Sequence, residues 1–455
     1  MVTGIGNEAL DRWCRQQQTR LAAFAPVTAT GRITGISGIL LESRLPHARI
    51  GDLCRIEGKD NADVLAEIVG FNPQHTLLSA LGPLDGIAQG ARVTPLYLPH
   101  GIRVSARLLG GVLDGFGRPI VAGGTGAFAE PGDYGGAVGV LGGAPSPTDR
   151  PLIDTPLPTG LRAIDGLLTL GVGQRVGIFA GAGCGKTTLL AELARNTPCD
   201  VIVFGLIGER GRELREFLDH ELDAGLRNRM VLICATSDRS SMERARAAFT
   251  ATAIAEAFRD AGKSVLLILD SLTRFARAQR EIGLALGEPP GRGGLPPSVY
   301  TLLPGLLERA GRTSSGAITA LYSVLIEQDS MNDPVADEVR SLIDGHIVLS
   351  RKLAERGHYP AIDVPASLSR VMANIIGPEQ RGQAVAVRRL MAAWQQVEML
   401  IRLGEYQPGF DALTDAAVGA QDAINDYLRQ GTREPDDFAE ILRRLAEVSD
   451  YAPAL

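Results

Sequence analysis

No stretch of the 455 residues runs apolar for the ~18 positions a membrane-crossing helix needs. No charged leader followed by an apolar segment marks a secretory signal either, so a soluble cytoplasmic chain is expected. Cysteine is sparse and badly spaced for cross-linking. The five residues Cys14, Cys54, Cys184, Cys199 and Cys234 are odd in number and form no C-x-x-C pair, so they read as reduced thiols. A basic excess is missing as well: 46 Lys and Arg stand against 52 Asp and Glu, a formal charge of −6. Wholesale binding of nucleic acid, which needs a basic surface to neutralise phosphate, is therefore not expected. Aromatics are few, and between residues 31 and 98 only Phe71 and Tyr97 occur. There is no internal repeat and no low-complexity tract.

What is present is apolar content of 45%, enough for sizeable cores, in a chain too long for one of them. The length suggests about three domains. In residues 1–28, Leu10, Trp13, Leu21 and Phe24 fall at roughly helical spacing with Arg12, Arg15 and Arg20 elsewhere, the pattern of a short amphipathic helix. From 29 to 98 short β-type segments such as Val64–Val69 alternate with Gly, Pro and Asn turns, which predicts a small barrel. A glycine-rich connector, Gly123 to Pro147, leads into alternating strand and helix signals. Apolar runs at Val201–Ile207, Val231–Ala235, Val265–Leu269 and Ile318–Leu325 predict a parallel sheet covered on both faces. One helix is marked at both ends, by a Ser240/Glu243 capping box and by Gly262. After about Gly377 only helical patterns remain: Leu390, Trp394, Val397 and Ile401 form one stripe ending at Gly404, and Phe438, Ile441, Leu445 and Val448 form another.

The most informative stretch is Ala180-Gly181-Ala182-Gly183-Cys184-Gly185-Lys186-Thr187, set between the apolar run Val176–Phe179 and a helical segment beginning at Thr188. A strand feeding a Gly-rich turn that opens a helix aims several N–H groups and a positive helix end at one spot, where polyphosphate is most stable. Lys186 is expected to reach the β and γ phosphates and Thr187 to hold Mg²⁺. Ala180 replaces the usual first glycine, which is tolerable only in an extended conformation. A nucleotidase also needs a carboxylate at the end of an apolar strand, and Asp270 closes Val265–Leu269. Something must orient the attacking water. Glu209, just past Val201–Ile207, is the candidate, while Arg212, Glu213, Arg215 and Glu216 read as a solvated, salt-bridged helix face.

These motifs together resemble the type III secretion ATPases. The loop at 178–187 carries the resemblance, with Gly205-Leu206-Ile207-Gly208-Glu209-Arg210-Gly211, Asp270-Ser271-Leu272-Thr273-Arg274 and Gly287-Glu288-Pro289-Pro290. It continues through Asp344–Arg351, His358–Asp363, Ser369-Arg370-Val371-Met372 and Leu403-Gly404-Glu405-Tyr406. The chain departs from the family wording at Glu327-Gln328-Asp329-Ser330-Met331, which loses a glycine and a charge.

The resemblance, which reaches to the catalytic subunits of rotary ATP synthases, implies an α/β fold: a RecA-like P-loop core over 99–376, preceded by the β-barrel and followed by a helical C-terminal domain over 377–455. It implies a homohexamer with ATP and Mg²⁺ sites between subunits. Nucleotide would contact Gly181, Ala182, Gly183, Cys184, Gly185, Lys186, Thr187 and Thr188, with Tyr359 stacked on adenine. Metal would be held by Thr187 and Asp270; catalysis would fall to Lys186, Glu209, Arg210 and, from the neighbouring subunit, Arg370 as an arginine finger. The implied partners are a central coiled-coil stalk that meets the Gly283–Pro297 loop, a peripheral stator or regulator, chaperone–effector complexes, and the export gate at the inner membrane. Location at the cytoplasmic face of that membrane follows. The Cys184 loop and Ser350-Arg351-Lys352-Leu353-Ala354 favour a virulence injectisome over flagellar export. Two other readings remain: a hexameric nucleic-acid translocase, revealed by stimulation with RNA or DNA, and a subunit that holds nucleotide without hydrolysing it.

Overall fold

The structure, a computed structural model, describes residues 13, 14, 17, 29–59, 63–121, 137–326, 333–409 and 411–453. The expected N-terminal helix lies outside the described residues except for Trp13, Cys14 and Gln17, which are helical. Residues 122–136 of the connector and the divergent Glu327–Met331 also lie outside them. The chain divides into two compact units, Met1–Leu98 and Pro99–Leu455. Among the described residues no helix is long and apolar enough to cross a membrane.

The first unit is a closed barrel. Its strands are β1 (Gly31–Ser37), β2 (Leu40–Ser43), β3 (Asp52–Ile56), β4 (Val64–Phe71), β5 (Thr76–Ala80) and β6 (Arg92–Pro99), in the order β1-β2-β5-β4-β3-β6. Gly31 opposite Val93 joins β1 to β6 and closes the ring. Alternate residues turn inward, and Ile33, Leu41, Cys54, Ile56, Ile68, Leu78 and Val93 fill the interior. Closure leaves no unpaired strand edge, which a barrel this small would otherwise present to other chains.

The second unit is built on a ten-stranded sheet. Its main strands are β7 (Val112–Asp114), β8 (Pro119–Val121), β9 (Arg175–Ala180), β10 (Val201–Ile207), β11 (Met230–Ala235), β12 (Ser264–Asp270), β13 (Ala317–Leu325), β14 (Gly345–Leu349) and β15 (Leu368–Ser369). They run in the order β15-β14-β9-β13-β12-β10-β11-β7-β8. From β14 to β7 every pairing is parallel. At the margins β8 and β15 run antiparallel, so the sheet is mixed at its edges, and the short Gly311–Arg312 strand pairs antiparallel with the interior strand β13. A marginal strand needs only one partner, and at β8 a short hairpin from β7 supplies it without a crossover helix. All seven residues of β10 are buried, as a strand covered on both faces requires.

Four helices position the chemistry: α1 (Lys186–Asn196), α2 (Gly211–Glu216), α3 (Ser241–Asp260) and α4 (Leu272–Ala285). At α3 the Ser240 hydroxyl accepts the Glu243 N–H, the first half of the expected capping box, and Gly262 follows the helix at φ 83°. Helices α5 (Pro378–Leu403), α6 (Ala412–Leu428) and α7 (Phe438–Ser449) close the chain. Their stripes, including Leu390, Val397, Ile424, Tyr427, Ile441 and Leu445, join one apolar core with Ile164 and Leu167 and with the strands of the sheet. Each such side chain contributes about 1.5–3 kcal/mol on burial. That shared core fixes the turn between α6 and α7 against the mouth of the sheet.

Candidate active site

In a parallel sheet the carboxyl ends of the strands share one edge, and the loops leaving that edge meet. Strand β9 ends at Ala180, which pairs with Leu325 and Leu349 as ordinary extended backbone, so the missing glycine costs nothing there. The turn that follows has Gly183 and Gly185 both at φ 80°. Gly185 is the N-cap of α1, and a side chain there would be strained in that left-handed conformation. Lys186 begins α1, whose amino end therefore faces the mouth of the loop. Gly181 and Cys184 are buried, Ala182, Gly183 and Thr187 are exposed, and Thr188 is half-buried.

Beside the loop stands a cluster of charge. The Lys186 ammonium pairs with the Asp270 carboxylate and lies 3.8 Å from Glu209 Oε1. Asp270 is 2% exposed at the end of β12 and accepts a hydrogen bond from the Ser323 hydroxyl at 2.5 Å. These side chains meet because β12 lies between β10 and β13, with Leu206 opposite Asp270. Glu209, two residues past β10, also has Arg274 Nη2 3.5 Å from its Oε2. Its carboxyl is pushed up to about 7, chiefly by burial, then by a hydrogen bond with Glu213 and the nearby charge of Asp270; Lys186 and Arg274 oppose the rise. Glu213 is thus part of the cluster rather than of the solvated face expected for it. The rest of that face is as expected, with Arg212 paired to Glu216 and Arg215 to Asp219. Among the described residues no group of three or more His, Cys, Asp or Glu could hold a metal by itself. The oxygen donors Thr187 and Asp270 at the loop are hard ligands of the kind that would suit Mg²⁺.

On the other side of the loop a cavity of about 230 Å³ is lined by Cys184, Gly185, Thr188, Leu189, Tyr359 and Pro360, and by Gln430, Gly431 and Thr432. The half-exposed Tyr359 ring stands over the loop, with Cε1 3.5 Å from where a Cβ on Gly185 would sit. A flat aromatic face beside an apolar slot suits a purine. A larger cavity, about 620 Å³ between the 350–365 segment and helices α5 and α6, contains none of the charged cluster.

Two expected residues are not brought to this cluster. Arg210 is exposed at the N-cap of α2. Arg370 follows β15, whose Ser369 pairs with Gly345, level with Val176 of β9. The phosphate loop leaves β9 four residues later, so the two sites differ by roughly 13 Å along the strand direction alone. Arg370 is exposed, and its guanidinium donates to the Arg340 carbonyl at 3.3 Å. Asp344, whose carbonyl accepts the Arg370 N–H at 3.0 Å, has its carboxylate held by two Arg175 side-chain hydrogen bonds of 3.0 Å each.

Sequence reasoning missed Arg274, Ser323 and the Gln430–Thr432 wall. Arg274 closes a motif quoted for Asp270, and strand adjacency would have suggested it. Ser323 is a lone hydroxyl in an apolar run, a weak signal. Gln430–Thr432 had none.

Family models match most of the chain: the ATP synthase alpha/beta family beta-barrel domain over residues 33–96, its nucleotide-binding domain over 160–369, and the T3SS EscN ATPase C-terminal domain over 376–447. The chain is 64% identical over 447 residues to the type 3 secretion system ATPase of Pseudomonas syringae pv. tomato, covering 98% of this chain and all of that one. It is 45% identical over 445 residues to the flagellum-specific ATP synthase of Treponema pallidum, 98% of each chain. Among solved structures it resembles the assembled ATPase EscN of the enteropathogenic E. coli type III secretion system, with a TM-score of 0.86 and 45% identity over 92% of this chain and all of that one. The same ATPase in complex with its central stalk EscO superposes with a TM-score of 0.83 at 44% identity, with the same coverage.

Proposed function

Because the chain belongs to the family of type III secretion system ATPases, we propose that it hydrolyses Mg-ATP at a site shared by neighbouring copies of itself. Turnover releases chaperones from, and helps unfold, proteins entering a bacterial export apparatus. The observation that carries the assignment is Lys186 at the mouth of the glycine loop between Asp270 and Glu209.

Each residue has a defined task. Lys186, paired with Asp270, would give its ammonium to the β and γ phosphates, with the loop N–H groups and Thr188 completing the cradle. Thr187 and Asp270 would hold Mg²⁺, and the ion would supply charge neutralisation at the phosphates. Glu209, ionised, orients and polarises the attacking water, and Arg274 and Glu213 fix where it points. Arg210, exposed beside Glu209, reaches the γ-phosphate. Tyr359 stacks on adenine. Arg370, too far from its own loop, serves the loop of the next subunit, and a finger of this kind is worth roughly 10³ to 10⁵ in rate.

A closed ring follows from such a head-to-tail contact, and six copies are proposed. The complex of the related ATPase with its central stalk supports a stalk partner here, met by the Gly283–Pro297 loop. A peripheral regulator, chaperone–effector complexes and the export gate at the cytoplasmic face of the inner membrane complete the proposed set. The higher identity to a Pseudomonas secretion ATPase than to a flagellar one favours an injectisome. Steady-state hydrolysis by the wild type, Lys186→Ala and Glu209→Gln tests the enzyme assignment, and unchanged turnover in both variants would overturn it. Deleting the gene and scoring effector secretion separately from swimming tests the apparatus: loss of swimming alone would reverse the choice.

A further inference from the structure

The base pocket has a wall that the glycine loop and Tyr359 do not supply. It comes from the turn between α6 and α7, some seventy residues beyond Tyr359, where Gly431 and Thr432 line the cavity. Those two residues are suspended between two anchors. On one side Gln430 is 9% exposed and fully hydrogen-bonded. Its N–H donates to the Tyr359 carbonyl at 2.9 Å. Its Nε2 donates to the carbonyls of Gly160 and Glu434, both at 2.7 Å, and its Oε1 accepts the Arg162 N–H at 3.0 Å. On the other side the Arg433 N–H donates at 3.0 Å to Oε2 of Glu192, a buried residue of α1, and Arg433 Nη2 donates to the His220 carbonyl at 2.8 Å.

One further feature shows that the turn is held in place. Arg433 takes φ 63°, a left-handed conformation that a non-glycine residue keeps only when its surroundings hold it. Gln430 also bonds directly to the backbone of Tyr359, so one side chain and its amide fix both the ring's residue and the wall beside it.

We propose that Gln430 is a positioning residue for ATP, holding Gly431 and Thr432 and the Tyr359 backbone in register as one base-binding slot. This rests on the reading of Tyr359 as the base-stacking residue. Gln430 touches no phosphate-binding group, so its effect is confined to ligands that carry a base.

Calorimetric titration of the full-length protein with Mg-ATP and with Mg-tripolyphosphate separates the two halves of the ligand. Gln430→Ala should weaken Mg-ATP about tenfold and leave tripolyphosphate unchanged, with KM raised and kcat kept. Gln430→Glu keeps the length and the oxygen that Arg162 needs but loses both donors; it should show the same selectivity, and it carries the test if the alanine variant does not fold. Tyr359→Ala is measured alongside. If Tyr359→Ala weakens ATP and the Gln430 variants do not, the positioning role is wrong and the base slot stands. If Tyr359→Ala leaves ATP binding unchanged, the base slot itself is wrong and the proposal falls with it. Equal weakening of both ligands by the Gln430 variants would make the residue merely structural and overturn the proposal.

Discussion

Lys186 and Arg370 are two cations proposed to meet the same phosphates, and the fold treats them in opposite ways. Lys186 is 12% exposed, paired with Asp270 and close to Glu209, at the carboxyl end of the sheet. Arg370 is exposed beyond the opposite end of β14, bonded to one backbone carbonyl, with Asp344 taken up by Arg175. A cation buried among carboxylates can wait, neutralised, for a ligand delivered to its own chain. An exposed guanidinium loses nothing by waiting in water and can be offered to another molecule's anion. The contrast is what a site divided between two chains requires: one half complete and charge-balanced, the other a single donor on an open surface.

Substitutions can break that contrast. Arg370→Ala should produce the largest loss, about 10³ to 10⁵ in kcat, while ATP binding by the dilute chain is retained. A matching collapse of binding in equilibrium titrations would place Arg370 in its own chain's site. Glu209→Gln should lower kcat by roughly 10² to 10⁴, again with nucleotide still bound. Because the Glu209 carboxyl of the free chain is pushed up to about 7 and the ionised form orients water, wild-type kcat/KM should rise as pH rises through that region. The variant should lack that limb in a pH–rate profile. Tyr359→Ala, on the loop side, should cost about 1–3 kcal/mol of ATP affinity, seen as raised KM with kcat little changed.

The smallest effect is a control that touches neither cation. His100 is buried, its ring nitrogen bonded to the Phe116 carbonyl at 3.0 Å, and burial with nearby Arg246 lowers its pKa from 6.5 to about 4. The folded chain therefore binds fewer protons than the unfolded one between those values. The stability contribution is whole above 6.5 and is lost as pH falls toward 4, about 1.4 kcal/mol by pH 5.5. Denaturant midpoints at pH 7.5 and 5.5 should move less in His100→Gln than in wild type, and by the same amount in Lys186→Ala and Arg370→Ala backgrounds.

What the sequence revealed follows the same division. The phosphate loop was legible because it is contiguous, with strand, turn and helix all local. Glu209 and Asp270 were legible because residues at the ends of apolar strands must lie along one sheet edge. Glu213 was misread because helical periodicity says which residues share a face but not what the first turn of the helix leans on. Arg370 carried no local signal at all; only the family resemblance gave it a role, and its displacement from the loop appears only through strand register. Gln430 to Thr432 reach the pocket by the packing of three C-terminal helices onto the core that Ile164 and Leu167 share with the sheet. No pattern within that turn announces it.

The most direct test mixes two inactive chains. Lys186→Ala and Arg370→Ala proteins, each almost devoid of turnover alone, are combined at equal concentration under conditions where light scattering shows co-assembly. Random mixing in a head-to-tail ring leaves about a quarter of the interfaces with an intact loop on one side and an intact arginine on the other. ATPase activity should therefore reappear at a substantial fraction of wild type and grow with protein concentration. A co-assembled mixture that stays as inactive as its components would contradict the shared site.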